Sequence, residues 1–209
     1  EMRGIISAET ETAYRRAIQL DPSFAPAHAH LGRLLRRTGE IEESAAAYRN
    51  AVRLATHVST MVLVADVMQS EQRFAESEQL LQKAVANDPR NPSALFLLGR
   101  ALMAQNKLDA AEDVLRTSLE VSPNTFIPNN MLGSLYLRQG KLELAENALL
   151  QALRFVPAVE KRLLSRQFES LGDAFNKSLN LPFADRNFRQ ALALDPTNAG
   201  LTAKLARVR

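Results

Sequence analysis

Cysteine is absent from this sequence of 209 residues, and glycine and proline are scarce, with eight and nine copies. Without cysteine the chain can form no disulfide, no thiolate zinc site and no cysteine nucleophile. The low glycine and proline content excludes low-complexity and collagen-like sequences. The lack of cysteine fits a cytosolic protein and a bacterial periplasmic protein equally well, so the sequence leaves the compartment open.

A large excess of charge of one sign is also missing, since 26 basic residues stand against 23 acidic ones and the formal net charge is +3. Nucleic-acid binding favours a concentrated basic face interleaved with aromatic side chains, yet aromatic residues make up only 6% of the chain. No apolar run approaches the roughly 18 residues of a membrane-spanning helix. The sequence therefore predicts neither a nucleic-acid partner nor insertion into a membrane.

Residues that could carry out catalysis are few. His28 and His30 are two residues apart, so on a helix they point in different directions and cannot chelate a metal together. We expect His28 to be a partly buried packing residue. The acidic residues Asp109, Glu112 and Asp113 lie at the start of a predicted helix, where they interact favourably with its dipole. The sequence thus predicts no enzyme activity, no cofactor and no bound metal.

What the chain does contain is a helical hairpin pattern over residues 92–125. In its first half, apolar or small residues recur at the i, i+3, i+4 and i+7 positions of one helix face, namely Leu95, Leu98, Gly99 and Leu102. The second half carries a matching stripe of Leu108, Ala111, Leu115 and Ser118. Small residues in both stripes allow the two helices to approach closely. A single hairpin of this size cannot bury its apolar faces, so it requires neighbours of the same kind.

The small residue of the first helix recurs along the chain at a nearly constant spacing. It is found at Gly32, Ala65, Gly99, Gly133 and Gly172, which are separated by 33, 34, 34 and 39 residues. This pattern resembles the tetratricopeptide repeat (TPR), a helix–turn–helix unit of about 34 residues with small residues at fixed positions. The resemblance implies an all-α fold, an α-α superhelix in which TPR hairpins coil into a right-handed solenoid.

The repeat pattern divides the chain into successive parts of one solenoid domain. Residues 1–24 are predicted to be the second helix of a truncated repeat, followed by TPR 1 to TPR 4 over residues 25–57, 58–91, 92–125 and 126–159. Residues 160–198 are predicted to be TPR 5 with an extended first helix, because no glycine or proline interrupts residues 158–164. Residues 199–209 are predicted to be a capping helix or the start of a further repeat. Since the chain starts within a repeat, we interpret it as a fragment in which a targeting signal is not observable.

The turns inside the hairpins differ in sequence. Gly39, Asn106 and Gly140 suit the left-handed backbone that ends many helices. Gln72 stands at the same place in the second repeat, where a positive φ would strain it, so we expect that turn to be built differently. In the fifth repeat, Asn180 is expected to cap the second helix.

In proteins with this repeat the first helices line a concave groove, so the resemblance implies a partner-binding surface made of fixed positions on each first helix. The predicted groove residues are Arg33, Arg36, Arg37, Val62, Leu63, Asp66, Phe96, Leu97, Arg100, Met103, Ile127, Asn130, Met131, Arg138 and Asp173. Arginines lie at one end of this groove, large apolar residues fill its middle, and its far end is mixed and charged. We expect Phe96 and Met131 to be exposed, because contiguous exposed apolar side chains mark binding surfaces.

The resemblance implies a non-catalytic scaffold that binds a peptide or an amphipathic helix of another protein in this groove. The partner segment is expected to combine an apolar strip with acidic residues that meet Arg33, Arg36 and Arg37. Two alternatives stay open: the repeats can belong to a larger bacterial enzyme, such as a glycosyltransferase, or to an export machine, or the chain can self-assemble into a homo-oligomer. The 20 arginines against six lysines favour a bacterial genome rich in GC.

Overall fold

The computed structural model describes residues 2–208, with side chains from Ala8 onwards, and this part of the chain contains twelve α-helices and no strand. The predicted all-α fold of tandem helical hairpins is confirmed. Residues 1–107 form one compact unit, which contains α1 (Met2–Leu20), α2 (Ala25–Thr38), α3 (Ile41–Leu54), α4 (Val58–Ser70), α5 (Phe74–Asn87) and α6 (Pro92–Ala104). Residues 108–209 form a second unit, which contains α7 (Leu108–Val121), α8 (Phe126–Gln139), α9 (Leu142–Leu153), a 3-10 turn (Ala158–Glu160), α10 (Lys161–Lys177), α11 (Leu181–Leu194) and α12 (Ala199–Arg207). None of the described helices is long and apolar enough to cross a membrane.

The boundary between the two units falls between α6 and α7, inside the residues 92–125 that the sequence pattern assigns to one repeat. The pairs α2–α3, α4–α5, α8–α9 and α10–α11 lie within the other four predicted repeats. The division of the chain into five repeats stays a prediction, and each unit is described by itself.

Proline and asparagine mark several helix starts. Pro92 and Pro182 stand in the first turns of α6 and α11, where the missing N–H group of proline is not needed. Asn91 caps α6, because its side-chain oxygen accepts a hydrogen bond from the backbone N–H of Ala94 at 3.0 Å. Asn180 occupies the N-cap of α11, but its side chain makes no capping hydrogen bond, contrary to the prediction.

The first helix of each hairpin ends in the same type of turn. The turn residue has a positive φ in every hairpin, with 96° at Gly39, 60° at Gln72, 62° at Asn106, 73° at Gly140 and 60° at Leu179. The backbone N–H groups of this residue and of the next one donate to carbonyl oxygens of the last helical turn, which is the Schellman pattern. The expectation of a different turn at Gln72 was therefore wrong. The two hydrogen bonds involve only the backbone, so they form whichever side chain is present.

In residues 1–107 the first helices α2, α4 and α6 pack side by side, and α3 and α5 pack against them. The small positions allow close contacts between paired helices. The Ser44 hydroxyl donates to the Gly32 carbonyl oxygen at 2.6 Å, and the Ser77 hydroxyl donates to the Ala65 carbonyl oxygen at 3.1 Å. Tyr48 is fully buried beside Gly32, where a Cβ atom would lie 3.1 Å from the tyrosine ring.

In residues 108–209, α8 packs against α9 and α10 packs against α11. At both contacts a glycine leaves space for a side chain of the paired helix. A Cβ atom on Gly133 would overlap the buried side chain of Leu149, and one on Gly172 would lie 2.6 Å from the buried ring of Phe188. Helix α12 packs against α11 and contributes to the core through Leu201 and Leu205.

Candidate functional site

The predicted groove residues of the first unit lie on α2, α4 and α6, and most of them keep accessible surface. Arg36, Arg37, Leu63 and Asp66 are exposed, while Arg33, Val62, Phe96, Arg100 and Met103 are half-buried. Leu97 was predicted to face the groove, but this prediction was wrong, because only 4% of Leu97 is exposed. It lies where α6 packs against α4, so it belongs to the contact between helices rather than to the open surface.

Gln69 organises the place where α4, α5 and α6 meet. Its side-chain amide donates to the Ser77 hydroxyl at 2.9 Å and to the Leu97 carbonyl oxygen at 2.8 Å. Its side-chain oxygen accepts a hydrogen bond from Arg100. Only 5% of Gln69 is exposed. This bridge accounts for the close packing around Leu97 and orients the Arg100 guanidinium.

Charged groups on this surface are paired with one another across neighbouring first helices. Arg100 contacts Asp66 at 2.6 Å, and these residues are 34 positions apart. Arg37 and Arg36 both contact Glu71, at 3.2 and 3.9 Å. Arg36 and Arg37 are exposed to solvent, but they are not free of partners. Exposed ion pairs contribute only about 0–1 kcal/mol each, so these pairs orient the side chains more than they stabilise the fold.

An open cleft of about 360 Å³ lies on the exposed side of α4 and α6. Its lining consists of Asp66, Gln69, Ser70, Phe74, Arg100 and Ala104. The Arg100 guanidinium also lies 5.5 Å from the centre of the Phe96 ring, in cation–π range. The Ser70 hydroxyl donates to the Val67 carbonyl oxygen at 2.7 Å, which is not the arrangement of an activated nucleophile. The cleft is lined by both polar and apolar side chains.

The predicted groove residues of the second unit lie on α8 and α10. Ile127 is 48% exposed, Arg138 is exposed and Met131 is half-buried. Asn130 was also predicted to face the groove, but it is buried, with only 7% of it exposed. It is covered because α8 packs against three helices, α7, α9 and α10.

Asp173, the last predicted groove residue, is engaged by a lysine of α12. The Lys204 ammonium donates to Asp173 at 2.6 Å and to Glu169 at 2.8 Å. The mixed and charged end of the predicted groove is thus a local ion-pair cluster within the second unit. The predicted apolar strip includes residues of both units. A single continuous groove formed by these residues therefore stays a prediction.

The two histidines of α2 have packing roles. The His28 ring is buried as predicted and donates from Nε2 to the Pro22 carbonyl oxygen at 3.0 Å. His30 stacks on Tyr14, with 5.5 Å between ring centres. Burial lowers the pKa of His30, and the nearby Arg33 lowers it further, so this ring is neutral at neutral pH. Among the described residues, no cluster of three or more histidine, aspartate or glutamate side chains could hold a metal ion.

Three glutamates at one recurring position of the second helices were not predicted as a group. They are Glu78, Glu112 and Glu146, each 34 residues from the next. Glu78 contacts Lys107 at 2.7 Å, and Glu112 contacts Lys141 at 3.3 Å. In both cases the lysine is 29 residues further along the chain, at the start of the next second helix. The equal spacing in the sequence was the signal that could have identified these contacts.

The described residues therefore define an all-α helical-repeat protein whose first helices present accessible side chains. Sequence models of the tetratricopeptide repeat match residues 8–57, 69–127 and 128–157. The chain belongs to the tetratricopeptide repeat family. No curated protein sequence matches it.

Solved TPR structures resemble the fold. YrrB, described as a TPR protein with an unusual peptide-binding site, is 18% identical with a TM-score of 0.64, covering 93% of this chain and 98% of YrrB. MamA is 19% identical with a TM-score of 0.67, covering 86% of this chain and 96% of MamA. PilF of Pseudomonas aeruginosa is 17% identical with a TM-score of 0.63, covering 99% of this chain and 92% of PilF. At these identities the similarity establishes the fold alone.

Proposed function

We propose that this chain is a non-catalytic scaffold that binds a peptide or an amphipathic helix of a partner protein on the exposed side of α2, α4 and α6. Two observations carry this proposal: the open cleft on α4 and α6, and Leu63, an aliphatic side chain on α4 that is 41% exposed three residues before the cleft residue Asp66. Membership of the TPR family supports a role in protein–protein interaction. The peptide-binding site attributed to YrrB supports a peptide as the bound group.

The chemistry of this surface indicates the kind of segment that it would take. Leu63 and the half-buried Phe96 offer apolar contacts, which favour aliphatic or aromatic side chains on the partner. Arg36 and Arg37 share one carboxylate, that of Glu71, so this end of the surface keeps a net positive charge. An acidic residue of the partner would complete the pairing. Binding of this kind needs no cofactor.

Photo-crosslinking at Leu63 tests the proposal. Leu63 is replaced by p-benzoylphenylalanine, the protein is irradiated in an extract of the cells from which the gene comes, and crosslinked species are identified by mass spectrometry. We expect one partner protein to be attached through a short segment with both acidic and apolar residues. The matched control carries the same photo-reactive residue at Lys83, which is exposed on the second helix α5.

The pattern of crosslinks separates the alternatives. The same product from Leu63 and Lys83 would mean that the contact does not depend on the first-helix surface, and the proposal would be wrong. A crosslink from Leu63 to a second copy of this chain would show that the chain self-assembles through this surface instead of binding a separate partner protein.

A further inference from the structure

Helix α10 starts earlier than the other first helices and exposes aliphatic side chains. It has 17 residues, whereas α2, α4, α6 and α8 have 13 or 14, and the turn Ala158–Glu160 precedes it. In this added segment Val159 is 87% exposed and Leu163 is 42% exposed. Valine and leucine are usually buried in folded proteins. Two of them exposed four residues apart therefore suggest a contact surface.

Positive charge is concentrated in the same segment. Residues 154–166 contain one acidic residue, Glu160, and four basic residues, namely Arg154, Lys161, Arg162 and Arg166. Their net charge of +3 equals that of the entire chain. All four basic residues are exposed. Arg162 contacts Asp195 at 3.6 Å, but 77% of its side chain remains exposed to solvent.

Helical geometry places the apolar and basic side chains next to one another. Arg162 and Arg166 are four residues apart and so lie one above the other on α10. Leu163 lies three residues before Arg166, on the same side of the helix. The buried residues Leu164 and Phe168 lie on the opposite side and hold α10 in the core.

Acidic side chains further along this side of α10 do not cancel the positive charge. Lys204 of α12 already contacts Glu169 at 2.8 Å and Asp173 at 2.6 Å. Glu169, Asp173 and Lys204 together have a net charge of only about −1, and the two acidic residues lie about one and two helical turns beyond Arg166. The positive potential at the start of α10 is therefore left for a ligand.

We propose that Val159, Arg162, Leu163 and Arg166, here called the α10 patch, form a docking surface for an acidic segment of a partner protein that also carries aliphatic side chains. Charge complementarity identifies this occupant. The two aliphatic residues would pack against apolar groups of the segment, and each guanidinium would bind a carboxylate through paired N–H donors. The patch lies in the second unit, so it does not depend on the surface proposed for α2, α4 and α6 in the first.

A lipid surface fits the patch less well than a protein segment. A helix that lies in a membrane interface buries a long apolar face. In α10 the exposed apolar residues of this side are confined to the first turn, and the opposite side is packed inside the protein. A small mixed patch of this kind matches a short peptide segment.

Peptide binding to the intact chain tests the α10 patch. The probe is a fluorescein-labelled helical peptide of leucine and glutamate, and the comparison peptide has lysine in place of glutamate. Fluorescence anisotropy should show binding of the leucine–glutamate peptide only. We expect about tenfold weaker binding for Arg162→Gln with Arg166→Gln, and a similar loss for Val159→Ser with Leu163→Ser. Arg166→Gln alone should weaken binding and leaves the Arg162–Asp195 contact in place.

Matched variants and vesicles complete the experiment. Leu20→Ser and Arg49→Gln change exposed residues of the first unit and should leave the dissociation constant unchanged. Equal binding of both peptides, no binding of the leucine–glutamate peptide, or wild-type affinity in all patch variants would overturn the proposal. So would binding to phosphatidylglycerol vesicles without binding to the peptide. Loss of peptide binding in Leu63→Ser rather than in the patch variants would favour the first-unit surface and reject the α10 patch.

Discussion

Leu179 adopts a backbone conformation that its own side chain disfavours. Its φ of 60° lies in the left-handed region, where the Cβ atom crowds the following carbonyl oxygen. In two other hairpins the same turn position is occupied by glycine, namely Gly39 and Gly140. Leu179 is 83% exposed, so its side chain gains little from packing. The strain persists because the turn is closed by backbone hydrogen bonds, such as that from the Asn180 N–H to the Phe175 carbonyl oxygen at 2.9 Å.

Replacing Leu179 with glycine should therefore stabilise the protein. Relief of about 1–2 kcal/mol of left-handed strain exceeds the roughly 0.5–1 kcal/mol of entropy that glycine loses on folding. The free energy of unfolding in urea should rise by about 0.5–1 kcal/mol. The control is Ser178→Gly, because Ser178 has an ordinary φ of −85° and glycine there should lower stability. A Leu179→Gly variant no more stable than wild type would mean that the turn is not strained.

The half-buried Glu112 joins neighbouring helices of the second unit through hydrogen bonds that favour its ionised form. Burial alone would raise the pKa of Glu112, but hydrogen bonds from Tyr136, Lys141 and Arg116 together outweigh it and lower the pKa. The Tyr136 hydroxyl donates at 2.9 Å, which links α8 to α7. A carboxyl whose pKa is lowered by folding stabilises the folded state at neutral pH. That contribution is lost as the pH falls through the folded-state pKa.

Close contact between paired helices depends on glycine in the second unit. Gly172 of α10 lies against the ring of Phe188 on α11, and both residues are buried. The ring has little freedom to move, because only 1% of Phe188 is exposed. The pairing of α10 with α11 thus requires the absence of a side chain at this position.

Substituting Gly172 with alanine is expected to destabilise the protein despite the higher helix propensity of alanine. The gain in propensity is about 1 kcal/mol, whereas overpacking a filled contact costs about 1–3 kcal/mol or more. The added Cβ atom would lie 2.6 Å from the Phe188 ring, so we expect a net loss of about 1–2 kcal/mol in chemical denaturation. Ser170→Ala, at an exposed position of the same helix, should leave stability within about 0.5 kcal/mol of wild type. Equal midpoints for the two variants would contradict the packing argument.

Each of the two compact units carries one of the two proposed binding surfaces. On the first unit, Arg36 and Arg37 are exposed on α2, and a cleft with apolar and polar lining lies on α4 and α6. On the second, the α10 patch combines two exposed aliphatic residues with two arginines. Exposed charges mainly govern the rate of encounter, while buried apolar contacts govern how long a complex lasts. The proposed groove can therefore be examined through its binding kinetics.

With the partner found by crosslinking, two variants should change different rate constants. Arg36→Gln with Arg37→Gln should slow association, and the loss should shrink at high salt because mobile ions screen exposed charges. Phe96→Ala should speed dissociation about thirtyfold, equivalent to about 2 kcal/mol, with little dependence on salt. Surface plasmon resonance at several salt concentrations measures both constants.

Circular dichroism and thermal melting must show that each variant remains folded, since Phe96 is half-buried. Lys83→Gln, on α5, is the control and should bind as wild type does. Wild-type kinetics in both groove variants would place the partner site on another face of the chain.

The helices, the turns at Gly39, Asn106 and Gly140, and the family could be predicted from the amino-acid sequence without any structure. Helical periodicity is a local property, and small residues such as Gly32 and Gly133 mark hairpins wherever they recur. The long start of α10 was also visible, because residues 158–164 lack glycine and proline. The left-handed turn at Gln72 was not predicted. There, the backbone hydrogen bonds that all these turns share outweigh the preference of a glutamine side chain for a negative φ.

Accessibility and charge pairing within the candidate site required the packed structure. Leu97 and Asn130 occupy predicted groove positions but are buried, because exposure depends on how much of a helix its neighbours cover. Arg37 contacts Glu71, which lies just after the end of the following first helix, α4. Local sequence specifies which face of a helix is apolar, but the distance and rotation between packed helices determine which side chains meet and which remain open to a partner.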